Sequence, residues 1–432
     1  MEYPNLIESN MLNGYKNTEL FCSKSTKELV ECNEKYCLKK TADTEGNSLR
    51  VFYDDRVEMY TSHGKFNDNK TLEERTKDIL PFSKMSSKVI PFHNSFLLHE
   101  FNDNHSTRQY HELFRLISQK LQLKNFILKN LFFQRDFDYF ELLNTEGVNG
   151  YGYRYFCLPG LEIYDVLKRE NKVYYKIIDD DDFENALIKI VDNLKDEKTS
   201  NNINLYDKCK TYMLTGSVVS NILYSYLAML SEEYIKAKQS YFSYNNYNGI
   251  KLSNLLTIVE NSKENNIIGG VIDGEGIIRE PIEIISKGGV LTTFHNTPEG
   301  QGAMPTASSY RFDYKNQPFI RPSKIAVQKG SLTSDELLLK YGLVGVIDDL
   351  QGLEESLNIL TFDFNAIAHV RYFYYGKMVG KSTFNVNSNL QEILKGVIDI
   401  GNEREYGFDG SILTPDFIIE KKYSKNSLNI IT

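Results

Sequence analysis

The sequence predicts an α+β protein, with an N-terminal mixed α/β domain followed by an antiparallel β-rich, barrel-like C-terminal domain. Two observations predict this class. Strand-like and helix-like segments alternate over the first 200 residues, and short apolar runs between Gly, Asn and Asp turns dominate from Gly249 onward. At 432 residues the chain is too long for one ordinary core. We therefore expect two domains, residues 1–200 and 207–432, joined by the polar segment 196–204.

The elements of the N-terminal half follow from two kinds of periodicity. Residues 48–53 and 172–178 are rich in β-branched and aromatic residues, which favours strands. An apolar recurrence every four residues predicts a helix over 110–121, and an apolar stripe predicts another over 183–194. The acidic run 179–182, just before that helix, is interpreted as a solvated loop.

The C-terminal half contains three predicted helices among its strands. The first covers 218–230 and carries its apolar side chains on one broad face. Thr333 and Glu336 have the spacing of a capping box, which predicts a helix that ends at Gly342. Residues 388–391 repeat the spacing and predict the third helix, with Ser388 as its cap.

Composition and charge exclude several functional classes. The net charge of -8 and the absence of a basic stripe argue against binding to nucleic acid or an anionic membrane. No apolar run reaches about 18 residues, and the first residues do not form a signal segment, so we expect a cytoplasmic protein. The five cysteines include no CxxC pair and indicate reduced thiols. The spacing of Cys32 and Cys37 also suits a zinc knuckle poorly.

The spacing of the histidines decides whether the sequence contains a zinc site. Zincins place two His four residues apart on a helix, and this sequence has no such pair. His99-Glu100 is followed by His105, six positions after His99, which would turn the second ring about 240° away on a helix. A folded loop could still gather two of the histidines that recur every six residues, so a metal-dependent hydrolase using His99, Glu100 and His105 stays an alternative. The recurring residues are His93, His99, His105 and His111.

Other motifs have simpler structural interpretations. There is no G-x-S-x-G elbow, and Gly376 to Ser382 lacks the spacing of a phosphate-binding loop, which makes a hairpin the better interpretation. Asp273 to Gly276 fits a tight turn better than a cation site. His295 and His369 are isolated, and we expect them to be packed or solvent-facing. The Tyr-rich segments 241–247 and 372–375 are candidate contact surfaces, with core packing as the alternative.

A series of motifs runs through the last third of the chain in a fixed order. This order resembles the C-terminal domain of the TldD/PmbA family, and best its TldE (PmbA) branch. Residues 49–56 and 144–147 are similar to N-terminal turns of the same family, while Phe362 stands where the family has Gly. The motifs are Asp273-Gly274-Glu275-Gly276, Pro281, Gly288-Gly289, residues 358–365, and Gly407-Phe408-Asp409-Gly410-Ser411.

The resemblance also implies a role. In the catalytic TldD branch, a helix bearing His-Glu-x-x-x-His and a later Cys hold the metal. Here the corresponding helix begins over 214–220 without a ligand, and no Cys follows Cys209. The resemblance therefore implies a chain with no catalytic, cofactor or metal residues of its own, not expected to be catalytic alone. It would pair as a heterodimer with a TldD-like zinc metallopeptidase subunit and help to enclose and bind peptide. A homodimeric peptide-binding protein is the remaining alternative.

Overall fold

The structure is a computed structural model that describes residues 18–52, 57–63, 107–167, 169–180, 182–194, 205, 207–295, 305–311 and 313–421. The chain divides into two compact units. Unit 1 combines the chain up to residue 194 with 268–279 and 309–319, and unit 2 holds the remainder. Two segments of the second half of the sequence therefore belong to unit 1. The boundaries at residues 200 and 207 stay a prediction, and the linker 196–204 lies outside the described residues.

Strands dominate both units. In chain order the described strands are β1 (Thr18–Cys32), β2 (Cys37–Phe52), β3 (Val57–His63), β4 (Phe126–Asn144), β5 (Asn149–Asp165), β6 (Glu170–Tyr175), β7 (Thr211–Leu214), β8 (Ile258–Glu260), β9 (Ile268–Gly270), β10 (Ile282–Ser286), β11 (Gly289–Val290), β12 (Ser309–Tyr310), β13 (Phe319–Ile320), β14 (Ile325–Val327), β15 (Leu343–Gln351), β16 (Asp363–Tyr374), β17 (Lys377–Asn389), β18 (Val397–Gly407) and β19 (Ile412–Glu420).

Seven helices accompany them in the described part of the chain. They are α1 (Thr107–Gln122), α2 (Phe183–Asn193), α3 (Gly216–Ala228), α4 (Glu232–Lys236), α5 (Ser334–Tyr341), α6 (Leu353–Ser356) and α7 (Leu390–Lys395). None of these helices is long and apolar enough to cross a membrane. The α+β class predicted from the sequence is confirmed.

Unit 1 is an antiparallel sheet in the order β3-β2-β1-β4-β5-β6, with β9 also paired to β5. The helices predicted over 110–121 and 183–194 are confirmed as α1 and α2, whose apolar stripes pack with the sheet in one core. Asp182 caps α2, because its carboxylate accepts the backbone N–H of Asn185. The end of the acidic run is thus a helix cap and not only a solvated loop.

The two added segments pack onto unit 1 through a small apolar cluster of Phe21, Leu142, Ile272 and Tyr314. Tyr314 lies directly over Gly46 on β2, where a Cβ atom would come within 2.2 Å of the ring. Only a glycine leaves room for this ring, which explains why β2 contains one.

A buried ionic cluster joins β1, β2 and the segment 309–319. Arg50 donates through Nε and Nη2 to the two oxygens of the Glu19 carboxylate, at 2.8 and 2.6 Å. Arg311 donates to the same carboxylate at 3.1 Å and to Ser48 Oγ at 3.0 Å. Burial lowers the pKa of Arg311 to about 10, and Glu19 opposes that shift. One carboxylate therefore holds two buried cations in place.

The expectation that all cysteines are reduced is wrong for one pair. Cys32 and Cys37 are joined by a disulfide. They face each other at the end of the β1–β2 hairpin, with Cα atoms 4.1 Å apart, because the turn Asn33 to Tyr36 reverses the chain between them. A spacing with four intervening residues, poor for zinc, is suited to a cross-strand pair. Cys22, Cys157 and Cys209 are free and buried.

Unit 2 is built on a sheet in the order β11-β10-β8-β14-β19-β7-β15-β16-β17, with β18 on β19. The prediction of an antiparallel, barrel-like domain needs correction. Two pairs, β14 with β19 and β7 with β15, are parallel, since long connections containing helices separate their members in sequence. Among the described strands the sheet is open, with β11 and β17 at its edges.

The three predicted helices of unit 2 are present, and two of them begin at a different residue than predicted. Helix α3 begins at Gly216, two residues before the predicted start, and buries the expected apolar face. Thr333 and Glu336 form the predicted capping box, and Gly342 ends α5 with a positive φ of 69°. The cap of α7 is Asn389 and not Ser388, because the Asn389 side chain accepts the N–H groups of the first turn.

The predicted hairpin over 376–382 is confirmed by β16 and β17, which meet at Tyr375-Gly376. The Tyr-rich segment 372–375 is partly buried and partly exposed. Tyr372 and Phe373 lie in the core, while Tyr374 and Tyr375 are more than half exposed at the hairpin tip. Only the tip can serve as the predicted contact surface. In the segment 241–247, Phe242 is buried and Tyr244 is exposed.

Phe362 keeps the backbone conformation that a glycine would adopt. Its φ is 67°, which costs a non-glycine residue about 1–2 kcal/mol. The ring is fully buried and stacks on Tyr241 at 4.7 Å, with Tyr226 and Phe242 also in contact. Burial of a whole aromatic ring offsets the strain. The path of the chain is therefore preserved although the glycine is not.

Candidate functional site

Helix α3 is the element on which the resemblance locates the metal in catalytic relatives. Its sequence buries a broad apolar face that includes Val219, Ile222 and Leu223. The residues left facing outward are Ser217, Asn221 and Tyr224, spaced i, i+4 and i+7 and thus within about 60° of one another around the helix. We call these three residues the α3 polar face. They carry hydroxyl and amide groups only.

Two carboxylates bind the first turn of α3. The Gly216 N–H donates to Asp416 Oδ1 at 2.8 Å, and the Ser217 N–H donates to Glu405 Oε1 at 2.8 Å. Both acids come from neighbouring strands, β19 and β18, and stabilise the positive end of the helix dipole. Two of the N–H groups that a helix start leaves without partners are thereby bonded.

Asp416 also reaches a second helix start. Its Oδ2 accepts the hydroxyl of Ser334 at 2.6 Å, at the first residue of α5. Burial raises the pKa of Asp416 to about 6, with the nearby charge of Glu405 acting in the same direction and the two hydrogen bonds opposing it. A single carboxyl group thus links two helices and titrates close to neutral pH.

A polar cluster adjoins the other end of the α3 polar face. Arg321 donates to Asp409 Oδ2 at 3.0 Å and to Ser411 Oγ at 3.3 Å, and the Ser411 hydroxyl donates to Asp409 Oδ1. Tyr224 is hydrogen-bonded to Arg321; burial raises the pKa of Tyr224, and Arg321 opposes the shift. We call Tyr224, Arg321, Asp409 and Ser411 the Arg321 cluster. Asp409 remains 30% exposed, so the carboxylate of this cluster reaches solvent.

The glycines of the segment 407–411 explain how the cluster is built. A Cβ on Gly407 would lie 1.9 Å from Ser220 Oγ, so only a glycine lets the end of β18 approach α3. Asp409 adopts a left-handed φ of 54°, which turns its carboxylate toward Arg321. Asn265 fixes the turn, since its amide donates to the carbonyls of Gly410 and Ser411 at 3.1 and 3.2 Å.

The donor set around α3 does not fit zinc. Zinc in proteins is held by imidazole, thiolate and carboxylate groups. The α3 polar face has none of these, and the adjacent Asp416 and Glu405 are already bonded to backbone N–H groups. Within the described residues no group of three or more His, Cys, Asp or Glu could hold a metal ion.

The structure describes two of the histidines considered from the sequence and does not describe the candidate metal site. His99, Glu100 and His105 lie outside the described residues, so the alternative metal site stays a prediction. His295 is buried, with Nδ1 2.9 Å from the Thr293 carbonyl, and His369 is exposed beside Thr383, as expected for isolated residues.

The Asp273 turn is confirmed as a turn. Its buried carboxylate accepts the N–H groups of Glu275, Ile277 and Ser309, at 3.0, 2.9 and 2.9 Å. A carboxylate with three backbone donors stabilises its own loop and has little capacity left for a cation.

Sequence reasoning missed Arg321 and Tyr224. Arg321 stands alone in sequence between Ile320 and Pro322, and its partner Asp409 is 88 residues away. The available signal was Asp409-Gly410 after Gly407, a run of residues suited to tight turns around a fixed carboxylate. In the sequence analysis this run supported the family resemblance and was not recognised as part of a site.

Comparison with known proteins agrees with this fold. The family model for the PmbA/TldA metallopeptidase C-terminal domain matches residues 208–423, which is half of the chain. TldE from Thermococcus kodakarensis superposes with a TM-score of 0.76 at 13% identity, over 96% of each chain. A Thermotoga maritima protein described as a candidate modulator of a DNA gyrase gives 0.76 at 12% identity, over 96% of this chain and 95% of that one.

A Bacteroides thetaiotaomicron protein with a similar description gives a TM-score of 0.71 at 16% identity, over 98% of this chain and 97% of that one. No curated protein matches the sequence. At these identities the solved structures establish the fold, while the family model establishes kinship of the C-terminal half. The chain belongs to the PmbA/TldD family.

Proposed function

We propose that this chain is the non-catalytic subunit of a metallopeptidase complex, which pairs with a zinc-bearing TldD-like subunit and helps to bind peptide. The observation that carries the proposal is the α3 polar face. Where the catalytic relatives need imidazole groups on this helix, the chain presents Ser217, Asn221 and Tyr224. These groups can bind a polypeptide by hydrogen bonds and cannot activate a metal-bound water.

The chemistry of the Arg321 cluster supports a role in peptide binding. Hydroxyl, amide and guanidinium groups are the complements of the C=O and N–H groups that every peptide repeats. The Arg321 charge is balanced by Asp409 at 3.0 Å, so the cluster attracts no strong counter-charge. We therefore propose that it binds main chain with little preference for side-chain charge.

The lack of metal-binding residues on α3 also supports pairing with a catalytic subunit. A chain that folds as a family member but lacks the metal-binding residues contributes to cleavage only when a companion supplies the zinc. In the complex the companion subunit binds the metal and its water, and this chain binds substrate.

The test is reconstitution with a TldD-like relative that contains His-Glu-x-x-x-His. We expect the two chains to co-purify and to cleave an unfolded peptide that neither cleaves alone. Replacing a metal-binding His of the relative by Ala abolishes cleavage, whereas replacing His111, on α1 of this chain, has no effect. Full activity of the relative without this chain, or failure to co-purify, contradicts the proposal.

A further inference from the structure

The Cys32–Cys37 disulfide closes the outer end of the β1–β2 hairpin. We call residues 37–45 the outer half of β2, since they extend beyond β3, which pairs with residues 46–52. Within the outer half, residues 38–44 are all exposed. A strand end with few buried apolar side chains opens locally at a low free-energy cost. The disulfide therefore links the two strands at the place where β2 is held least firmly by burial.

The two sulfur atoms differ in their access to solvent. Cys32 is fully buried and belongs to the core formed by the unit 1 sheet and its helices, whereas Cys37 is partly exposed and packs against that core. Thiol–disulfide exchange requires a thiolate to reach one sulfur of the disulfide directly. A small thiol in solution can reach Cys37 and not Cys32. Cys37 is thus the sulfur that is attacked, and Cys32 is the buried leaving group.

The turn at the hairpin end keeps the two cysteines opposite each other through hydrogen bonds of its own. The Asn33 N–H donates to the Tyr36 carbonyl at 2.9 Å. The Asn33 side-chain oxygen accepts the N–H groups of Lys35 and Tyr36, at 2.9 and 3.0 Å. The β1–β2 register is regular up to the cysteine pair. The two thiols therefore stay adjacent after reduction, which favours renewed closure as an intramolecular step.

We propose that Cys32 and Cys37 form a reversible redox pair, which exchanges with small thiols of the glutathione class through Cys37 and in its oxidised state restrains the outer half of β2. In oxidation, the Cys37 thiolate attacks glutathione disulfide, forms a mixed disulfide and releases one glutathione thiolate. The Cys32 thiolate then attacks the Cys37 sulfur and releases the second glutathione. Two cysteine thiols lose two electrons and two protons, and one small disulfide gains them as two thiols. Reduction follows the same steps in reverse.

Glutathione uptake by single-cysteine variants identifies the attacked sulfur. We expect folded Cys32→Ser, which keeps Cys37, to take up one glutathione from glutathione disulfide, as measured by intact mass. Cys37→Ser is the matched variant, since it keeps the buried Cys32 and should take up none until it is unfolded. Cys22, Cys157 and Cys209 are buried and should not react in either folded variant. Equal uptake by the two folded variants, or none by Cys32→Ser, overturns the proposal.

The wild-type chain provides a test that needs no substitution. The folded full-length protein is equilibrated in glutathione buffers from reducing to oxidising, and its free thiols are then counted with a maleimide in denaturant. We expect the count to fall from five to three in a single step and to return to five in the reducing buffer. A pair that never oxidises, or one that glutathione does not reduce in the folded protein, overturns the proposal.

Limited trypsin digestion of the oxidised and reduced protein measures the restraint on β2. The Lys40 side chain is 60% exposed in the outer half, and we expect cleavage there to be about tenfold slower in the oxidised state. Lys238, exposed in unit 2, is the matched control and should be cleaved equally in both states. Cleavage at Lys40 that is independent of the redox state overturns the proposed restraint. Since the chain is measured alone, none of these outcomes bears on pairing with a metallopeptidase subunit, and the inference goes beyond the proposed function.

Discussion

The cluster of Glu19, Arg50 and Arg311 in unit 1 and the Arg321 cluster in unit 2 use the same chemical groups in opposite ways. In unit 1 the Glu19 and Arg311 side chains are at most 3% exposed, and one carboxylate holds two guanidinium groups. In unit 2 the Arg321 side chain is 7% exposed, as is that of Arg50 in unit 1, but its partner Asp409 is 30% exposed. The sealed cluster in unit 1 is a fold determinant, whereas the open cluster in unit 2 has a carboxylate that reaches solvent. Burial and not residue type separates the two roles.

The largest expected effect tests the sealed cluster. Glu19→Gln leaves two buried guanidinium groups without their carboxylate, and we expect it to lower the free energy of unfolding by about 3–5 kcal/mol. Chemical denaturation of the full chain measures this. Glu31→Gln is the control on the same strand, where a half-exposed pair with Lys40 is worth about 0–1 kcal/mol. Similar losses in both variants would contradict the role of the sealed cluster as a fold determinant.

The next effect tests the link between the starts of α3 and α5. The pKa of Asp416 is raised to about 6 by burial, so between about pH 4 and 6 the native state binds more protons than the unfolded state. Asp416 therefore makes the protein less stable as the pH rises through that window. We expect the stability of Asp416→Asn relative to wild type to rise by on the order of 2 kcal/mol from pH 4 to 7. A pH-independent difference would contradict the assignment.

A smaller effect tests the open cluster. Tyr224→Phe removes the hydroxyl next to Arg321, and we expect peptide affinity of the reconstituted complex to fall by about 1 kcal/mol, roughly fivefold. Stability should change little. Tyr175→Phe, at a tyrosine that is 61% exposed and outside the candidate contact surfaces, is the matched control. Equal affinities of the two variants would remove the α3 polar face from the binding surface.

The smallest effect has the opposite pH sign to that of Asp416. Burial raises the pKa of Asp399, but hydrogen bonds from Lys340, the Ile400 N–H and Tyr341 outweigh it, so the pKa is lowered. Its contribution is present above about pH 4 and is lost as the pH falls below that value. We expect Asp399→Asn to cost about 0.5 kcal/mol at pH 7 and less at pH 3, by urea denaturation. A cost that grows in acid would contradict this sign.

The local elements of the fold could be predicted because their causes are local. The apolar stripe of α1, the Thr333 capping box and the turn at Asp273 each depend on residues a few positions apart. The parallel strand pairs could not be predicted, since they depend on how distant strands are ordered in the sheet. The Cys32–Cys37 bridge was missed for a different reason, because the redox state of the cysteines was judged from the lack of a CxxC pair and the hairpin register was not considered.

The candidate site was predictable only in part. The absence of His and Cys from the start of α3 is visible in the sequence, and so is the turn motif around Asp409. Arg321 and Tyr224 come from separate elements, and only tertiary structure brings them to Asp409. Phe362 illustrates the limit well. The sequence shows Phe where the family has Gly, and only the structure shows that buried aromatic contacts accompany a positive φ there.

The central claim is that cleavage, where it occurs, is performed by a companion and not by this chain. The most direct measurement is the zinc content and peptidase activity of the isolated, full-length protein. We expect far less than stoichiometric zinc and no cleavage of an unfolded peptide. Near-stoichiometric zinc that is lost on His99→Ala, together with cleavage that stops on chelation, would contradict it.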